Sequence, residues 1–397
     1  MQVERCFAGG KLRPGKIIRF IFPTYLTSLF TTLYTIMDGV FVSTYVGTDA
    51  LAAINIVYPI VNLLSGLSLM FAVGGSTLAA IALGSKNRKQ ASHIFFQCIF
   101  WSLLLGGCTS FMCWLQLDRI LYFLGATTPT LSYCRTYAAL WLLGVPAVVG
   151  KELLAYFIRI NGAPGFSFFI SAAGGITNII LDALFVGAWG QGVFGAGLAT
   201  VMGLALSCIL GIFWLAGRKS SLRVVLQRPR PAAAVQYGMN GSSELVNQLA
   251  IAVTTIVFNR TALNLAGENG IAAVSIIMYL QFVFLGVYFG GSMGVSPLLG
   301  YAMGQGRLDL CRDLERYAHC FFWMVPPILC ALALISAPAA VHLFAKNDTV
   351  YTLAVRGMRL YSIGYLFAGF NIFTAIRLSS YGLGRWAAIV TGLRSCV

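Results

Sequence analysis

Charged side chains are scarce in this chain of 397 residues, and only 10% of its positions are Asp, Glu, Lys or Arg. A soluble domain of this length uses charged residues at about a quarter of its positions. Here 58% of the residues are hydrophobic, and the mean hydropathy is +0.81. Polar side chains are too few to cover the whole molecule, so the composition indicates that lipid surrounds it.

Alternating strands of the outer-membrane barrel type are also absent, and long apolar runs recur instead. Each run is long enough to cross a hydrocarbon core of about 30 Å. Backbone polar groups in lipid must be satisfied internally, which favours helices. We predict an all-α, polytopic membrane protein built as two pseudo-symmetric six-helix bundles, with about eleven spans present and the last helix missing. The predicted spans are 17–42, 54–83, 94–116, 136–158, 166–188, 194–217, 239–263, 271–300, 318–342, 355–375 and a partial one at 386–397.

The residue patterns that enzymes require are missing. The three histidines, His93, His319 and His342, have no Cys or carboxylate at metal-ligand spacing. The ten cysteines contain no Cys-x-x-Cys pair, and most lie inside apolar runs. The chain has neither a Gly-x-Ser-x-Gly elbow nor a phosphate-binding loop. We therefore predict a protein that is not an enzyme, holds no cofactor and draws on an ion gradient.

The net charge is +15, and the basic residues lie mostly in alternate loops. No basic patch is interleaved with surface aromatics, so a nucleic-acid partner is not expected. The positive-inside rule predicts a multi-pass protein of the plasma or inner membrane with a cytoplasmic N-terminus. The cytoplasmic positions would be Lys11, Arg13, Lys16 and Arg19, then Lys86, Arg88 and Lys89, then Arg218, Lys219, Arg223, Arg228 and Arg230, then Arg307, Arg312 and Arg316.

The two halves resemble each other at an offset of about 220 residues. Gly47, Gly74 and Gly84 match Gly267, Gly294 and Gly304. This predicts parallel repeats with a substrate route between them: an N-terminal bundle at 1–217, a linker at 218–235 and a C-terminal bundle at 236–397. The second bundle ends inside its fifth span, and whether the chain is a fragment or a truncated gene product stays open.

Placing a carboxylate within a membrane span costs about 3 kcal/mol, so each such residue is expected to have a structural or functional role. Asp38 shares a helix face with Thr31, Tyr34 and Thr35, which predicts a polar stripe facing the bundle interior, with Tyr34 and Thr35 as candidates for lining a cavity. The alternative is a residue that caps the helix end, and the apolar segment 40–42 beyond it argues against this.

Asn178 and Asp182 lie four residues apart on one face of the fifth span, and Thr200 follows in the sixth. A carboxylate with an amide oxygen suits a hard cation or a proton. The alternatives are a structural hydrogen bond between helices and, for Thr200, a bond to its own backbone.

Further polar faces are candidates for lining a cavity. For the second-span and seventh-span groups, lining and structural roles are equally open. The candidates are Asn55, Tyr58 and Asn62 in the second span, Glu244, Asn247 and Gln248 in the seventh, Gln281 in the eighth, and Asn371 with Tyr361 and Tyr365 in the tenth.

Lys151 and Glu152 are adjacent in the fourth span. Consecutive residues point in different directions around a helix, so we expect that they do not pair with each other. Partners on neighbouring helices, or snorkelling of Lys151, favour a structural role.

With these motifs the chain resembles the MATE (multidrug and toxic compound extrusion) transporters of a wider flippase-like superfamily. The resemblance covers the whole chain, except that the family has twelve spans. The motifs are Pro23, Asp38-Gly39-Val40-Phe41-Val42, Gly47, Ala52-Ala53, Asn178-Ile179-Ile180-Leu181-Asp182 and the segment from Gly192 to Thr200.

The resemblance implies a monomeric antiporter in the lipid bilayer that exchanges cytoplasmic organic cations for Na⁺ or H⁺. The family's N-terminal cation or proton site carries over onto Asp38, Asn178, Asp182 and Thr200. Glu244 lies only near the family's C-terminal acidic position, and the acidic residue of the tenth span is missing, which favours N-terminal coupling. The alternatives are an inactive truncated transporter and a lipid-linked oligosaccharide or other flippase of the same superfamily. For an oligosaccharide flippase, the mid-span positive residues, chiefly Lys151, are few.

Overall fold

The computed structural model describes residues 14–396 apart from 218, 219, 224, 343 and 346. Within these residues the chain forms helices and connecting turns with no strand, which confirms the all-α class. A π-helical turn, Ala183–Ala188, follows the seventh helix. The helices are α1 (Pro14–Tyr45), α2 (Thr48–Gly84), α3 (Arg88–Leu115), α4 (Leu117–Phe123), α5 (Thr128–Leu143), α6 (Val145–Ile160), α7 (Pro164–Asp182), α8 (Gly192–Ala216), α9 (Pro231–Gly267), α10 (Asn269–Gly304), α11 (Leu308–His342), α12 (Asp348–Ser362), α13 (Tyr365–Ser380) and α14 (Gly384–Cys396).

Eight of the described helices are long and apolar enough to cross a membrane, namely α1, α2, α3 and α7 to α11. Helices α5 and α6 meet at 53° and together form a ninth candidate span. Pro146 lies just after this break, and its missing N–H and fixed φ explain why the helix does not continue straight through. Helices α12 and α13 occupy the matching place in the second half. The helices therefore follow the predicted spans of a multi-pass membrane protein.

The first turn of each half is made in the same way. Gly47 separates α1 from α2 at a φ of 119°, and Gly267 separates α9 from α10 at a φ of 60°. Only glycine adopts such positive φ values at little cost. These two glycines are the pair that the internal repeat matches, so the shared spacing reflects a shared turn.

The two halves meet along α2, which packs against α9 and α10. A side chain on Gly84 would overlap the backbone of Tyr301, and one on Gly304 would overlap the backbone of Ile81. Glycine therefore lets the two backbones touch where both repeats end their second span.

The segment between the halves is held against α3. The Gln97 amide donates to the Arg228 carbonyl over 3.0 Å, and its oxygen accepts from the Arg230 N–H over 3.1 Å. Helix α9 begins at Pro231, inside the predicted linker 218–235. We call this side of the bundle, which also carries the turns 85–87 and 305–307, the basic end.

Candidate functional site

Two buried carboxylates lie side by side where α1 meets the end of α7. Asp38 is 7% exposed and Asp182 is fully buried, and their side chains are close enough to interact directly. Asp38 Oδ1, both Asp182 oxygens and Asn178 Oδ1 have no hydrogen-bond partner among the described residues. Buried oxygens without donors are costly unless a cation or a proton joins them. Four such oxygens in one place form a set of ligands suited to a hard cation or a proton.

Close packing of α7 on α8 joins Asn178 to Thr200. A side chain on Gly174 would lie 2.5 Å from the Gly203 carbonyl oxygen, so only glycine fits this crossing. One turn further, the Asn178 amide donates to the Thr200 hydroxyl over 3.4 Å. That hydroxyl in turn donates to the Ala196 carbonyl over 3.0 Å. Thr200 thus forms hydrogen bonds both with the backbone of its own helix and with Asn178 of the predicted cluster.

A second small residue sets the distance between α1 and α7. A side chain on Gly175 would lie 2.7 Å from the Phe30 ring and 2.8 Å from the Tyr34 ring. Because both rings sit directly over Gly175, α1 approaches α7 closely. Asp38, one turn beyond Tyr34, then comes next to Asp182. The π-helical turn begins directly after Asp182, and such turns are rare and frequent at functional sites.

Tyrosines surround this carboxylate pair. The side chains of Tyr34, Tyr58, Tyr137 and Tyr279 all lie within electrostatic range of Asp38. Tyr34 and Tyr58 are among the predicted lining residues, whereas the sequence reasoning missed Tyr137 and Tyr279. A single tyrosine in an apolar span usually only packs against its neighbours. Tyr137 and Tyr279 are recognised as part of the site only by their proximity to Asp38 across helices, which the sequence does not reveal.

A narrow cleft lies beside the pair. Tyr34, Asn178 and Thr200 line it together with Lys151. The expectation that Lys151 and Glu152 do not pair is wrong, because Lys151 Nζ lies 2.6 Å from Glu152 Oε1. The long lysine side chain reaches around the helix, and the low dielectric of the interior makes this pairing strong.

The other predicted lining residues do not join this cleft. Thr35 donates to the carbonyl of Thr31 on its own helix. Asn55 and Asn62 on α2 and Asn371 on α13 are half-buried. In the second half, Asn247 accepts a hydrogen bond from Arg394, Gln248 packs on Gly66, Gln281 contacts Tyr361, and Glu244 lines a separate cavity between the halves.

Comparison with known proteins identifies the same fold. A family model described as MatE matches residues 23–184 and 245–397, one segment in each half. The multidrug export protein MepA of Staphylococcus saprophyticus is 23% identical, covering 96% of this chain and 84% of that protein.

Solved structures agree. A MOP superfamily transporter from Pyrococcus furiosus, described as having a binding pocket of reverse polarity, superposes with a TM-score of 0.89 at 22% identity. The match covers 97% of this chain and 86% of that one. An outward-facing multidrug resistance MATE transporter gives a TM-score of 0.86 at 22% identity, over 94% of this chain and 84% of that one. At this identity the solved structures establish the fold.

Proposed function

Because the chain belongs to the MATE family of membrane transporters, we propose that it exports small organic cations from the cytoplasm in exchange for Na⁺ or H⁺. As a member of that family it is a transporter and not an enzyme. Similar proteins whose names describe multidrug export support the choice of substrate. We also propose that it works as a monomer in the plasma membrane, with its N-terminus and basic end in the cytoplasm.

The buried pair of Asp38 and Asp182 is the observation that carries this proposal. Two adjacent carboxylates out of water repel each other and are poorly solvated, so they bind a cation or a proton strongly. An ion that enters from outside satisfies the unpartnered oxygens of Asp38, Asn178 and Asp182. The Thr200 hydroxyl completes the set of oxygen ligands for Na⁺.

Helix α1 connects this site to the interface between the halves. Its far part carries Asp38 against α7, while Ser28 in its middle donates to the Gly286 carbonyl of α10 over 2.8 Å. Pro23 lies inside α1, where proline removes a backbone hydrogen bond and permits bending. Ion binding at Asp38 then changes how α1 packs, which shifts the balance between outward and inward states and releases the drug.

The test is drug transport into everted membrane vesicles under an imposed Na⁺ or pH gradient. We expect Asp38→Asn to reduce gradient-driven transport to that of vesicles without the protein. Asp118→Asn is the matched control, because Asp118 is half-exposed and pairs with Arg135 outside the cluster. Transport at the wild-type rate by Asp38→Asn, in protein inserted at the wild-type level, would refute coupling through this site.

A further inference from the structure

The basic end of the first half is rich in positive charge. The chain contains no Asp or Glu from residue 50 to 117 or from 183 to 243. Six exposed basic side chains lie at this end: Lys86, Arg88 and Lys89 at the turn into α3, and Arg223, Arg228 and Arg230 on the segment before α9. None of the six forms an ion pair within the part of the chain that the structure describes. We call residues 220–223 and 225–230 of that segment the strap.

The same end of the second half is built differently. Asp309, Asp313 and Glu315 lie among the basic residues of the first turns of α11. Arg307 Nη2 lies 2.7 Å from Asp309 Oδ2. The charges of the second half are therefore mixed at this end, whereas those of the described first half have one sign. A surface of one sign attracts ligands of the opposite charge.

Hydrogen bonds hold the strap along α3. The Ser92 hydroxyl accepts from the Arg223 N–H over 3.1 Å. The Gln97 side chain donates to the Arg228 carbonyl over 3.0 Å and accepts from the Arg230 N–H over 3.1 Å. Because these bonds use backbone atoms of the strap, the charged ends of the three arginines are not needed for the attachment.

The strap lies at the depth where lipid headgroups are expected. Gln97, which holds it, also accepts a hydrogen bond from the Trp101 indole over 3.1 Å. Trp214, near the end of α8, stacks on Phe166 at the same end of the bundle. Tryptophans are enriched at the membrane–water interface. Between the arginines of the strap, Leu226 is 87% exposed, so an apolar side chain lies at the surface where acyl chains meet headgroups.

We propose that the strap binds anionic phospholipid headgroups, with Arg223, Arg228 and Arg230 on their phosphate groups and Leu226 among the acyl chains. A guanidinium donates parallel, charge-assisted hydrogen bonds to phosphate oxygens. Clusters of Lys and Arg next to a membrane-spanning helix attract anionic lipids. A soluble anion would account for the arginines, whereas the exposed leucine favours a lipid. The proposal goes beyond drug export and does not depend on it.

The test compares an anionic and a neutral lipid with the same chains. The protein is reconstituted into phosphatidylcholine nanodiscs that contain a varied share of brominated lipid, either phosphatidylglycerol or phosphatidylcholine. Bromine on the chains quenches nearby tryptophans, and Trp101 reports on the strap through Gln97. Trp101→Phe, measured in parallel, shows which part of the quenching comes from the strap. We expect brominated phosphatidylglycerol to reach half-maximal quenching at about a tenfold lower share or less, since each arginine near the membrane surface strengthens the attraction about fivefold.

Removing the arginines of the strap should abolish the preference. The variant is Arg223→Gln/Arg228→Gln/Arg230→Gln, and we expect its two quenching curves to coincide while its thermal unfolding in pure phosphatidylcholine matches that of the wild type. If this variant does not fold, Arg228→Gln replaces it, with a preference about fivefold weaker than that of the wild type.

The matched control removes the same charge from the same end of the second half. Arg312, Arg316 and Arg385 are exposed there. The variant Arg312→Gln/Arg316→Gln/Arg385→Gln should keep the preference for phosphatidylglycerol. A surface that acts only through net charge would lose its preference equally in both variants.

Equal quenching by the two brominated lipids in the wild type would overturn the proposal, as would an unchanged preference in the strap variant or an equal loss in the control. Inorganic phosphate, glycerophosphoglycerol and a polyglutamate peptide are added as soluble competitors. Relief of the quenching by any of them at physiological ionic strength would assign the surface to a soluble anion instead, and would also overturn the proposal. No gradient or drug is applied, so the result does not depend on the proposed export.

Discussion

Gly74 on α2 and Gly241 on α9 meet backbone to backbone, and a side-chain carbon on Gly74 would lie 2.6 Å from the Gly241 nitrogen. Next to this contact, the Asn240 amide donates to the Gly74 carbonyl over 3.1 Å. The Asn240 carbonyl in turn accepts from the Ser379 hydroxyl over 2.8 Å. The halves are thus joined through backbone atoms that a side chain would separate.

A methyl group at Gly74 should prevent this contact. We expect Gly74→Ala to lower the free energy of unfolding by about 1–3 kcal/mol, since backbone atoms cannot move aside as a side chain does. Transport should fall as well, because the state in which the halves meet at this point is disfavoured. Gly238→Ala is the control, since its new methyl group would meet the Met70 side chain at an ordinary 3.5 Å. Both variants are compared by thermal unfolding and by vesicle transport. Equal stability and equal transport in the two variants would contradict the prediction.

The spacing of α1 and α7 can be tested in a similar way. Gly175→Ala places a carbon 2.7 Å from the Phe30 ring, which should push α1 outward and separate Asp38 from Asp182. We expect weaker ion-driven transport, with insertion into the membrane unchanged. Gly165→Ala on the same helix is the control, because its new carbon meets nothing within 4 Å. An ion dependence in Gly175→Ala that matches the control would show that the spacing is unimportant.

Asn178 offers a way to distinguish the two coupling ions. A proton needs only the carboxylates, whereas Na⁺ also needs neutral oxygens such as Asn178 Oδ1, which has no partner among the described residues. If Na⁺ is the coupling ion, Asn178→Leu should reduce Na⁺-driven transport by about tenfold or more, which corresponds to the loss of one good oxygen ligand. If H⁺ is the coupling ion, proton-driven transport by the same variant should persist. If Asn178→Leu keeps the wild-type rate of transport under both gradients, Asn178 is not part of the ion site.

The ion pair of Lys151 and Glu152 should matter for stability. Both side chains are largely buried, at 11% and 19% exposure, so removing one leaves the other charge unmatched. We expect Lys151→Met to lower the free energy of unfolding by about 3–5 kcal/mol. The double variant Lys151→Met/Glu152→Met should recover most of this loss, since neither charge then remains. Thermal denaturation of the single and double variants measures the coupling, and additive losses would contradict a pair.

The sequence by itself determined the class of protein and the positions of most of its long apolar helices. Apolar runs and the repeat spacing are local properties, so hydropathy was enough to place α1 to α3 and α7 to α11. The predicted spans 136–158 and 355–375, in contrast, each cross a break between two helices. The same reasoning selected Asp38, Asn178, Asp182 and Thr200, because a polar group inside an apolar run is conspicuous without any structure.

Only the tertiary structure decided which of these groups meet. The approach of Asp38 to Asp182 depends on Gly175, and that of Asn178 to Thr200 depends on Gly174 and Gly203. The role of these glycines appears only once the helices are packed. Pairing of Lys151 with Glu152 depends on a side-chain rotation that helix periodicity does not predict. Among the described residues, the buried Nε and Nη1 of Arg159 have no hydrogen-bond acceptor, which is equally invisible in the sequence because it depends on every helix around the side chain. Burial and contact between distant segments are cooperative results of packing, whereas hydropathy is set residue by residue.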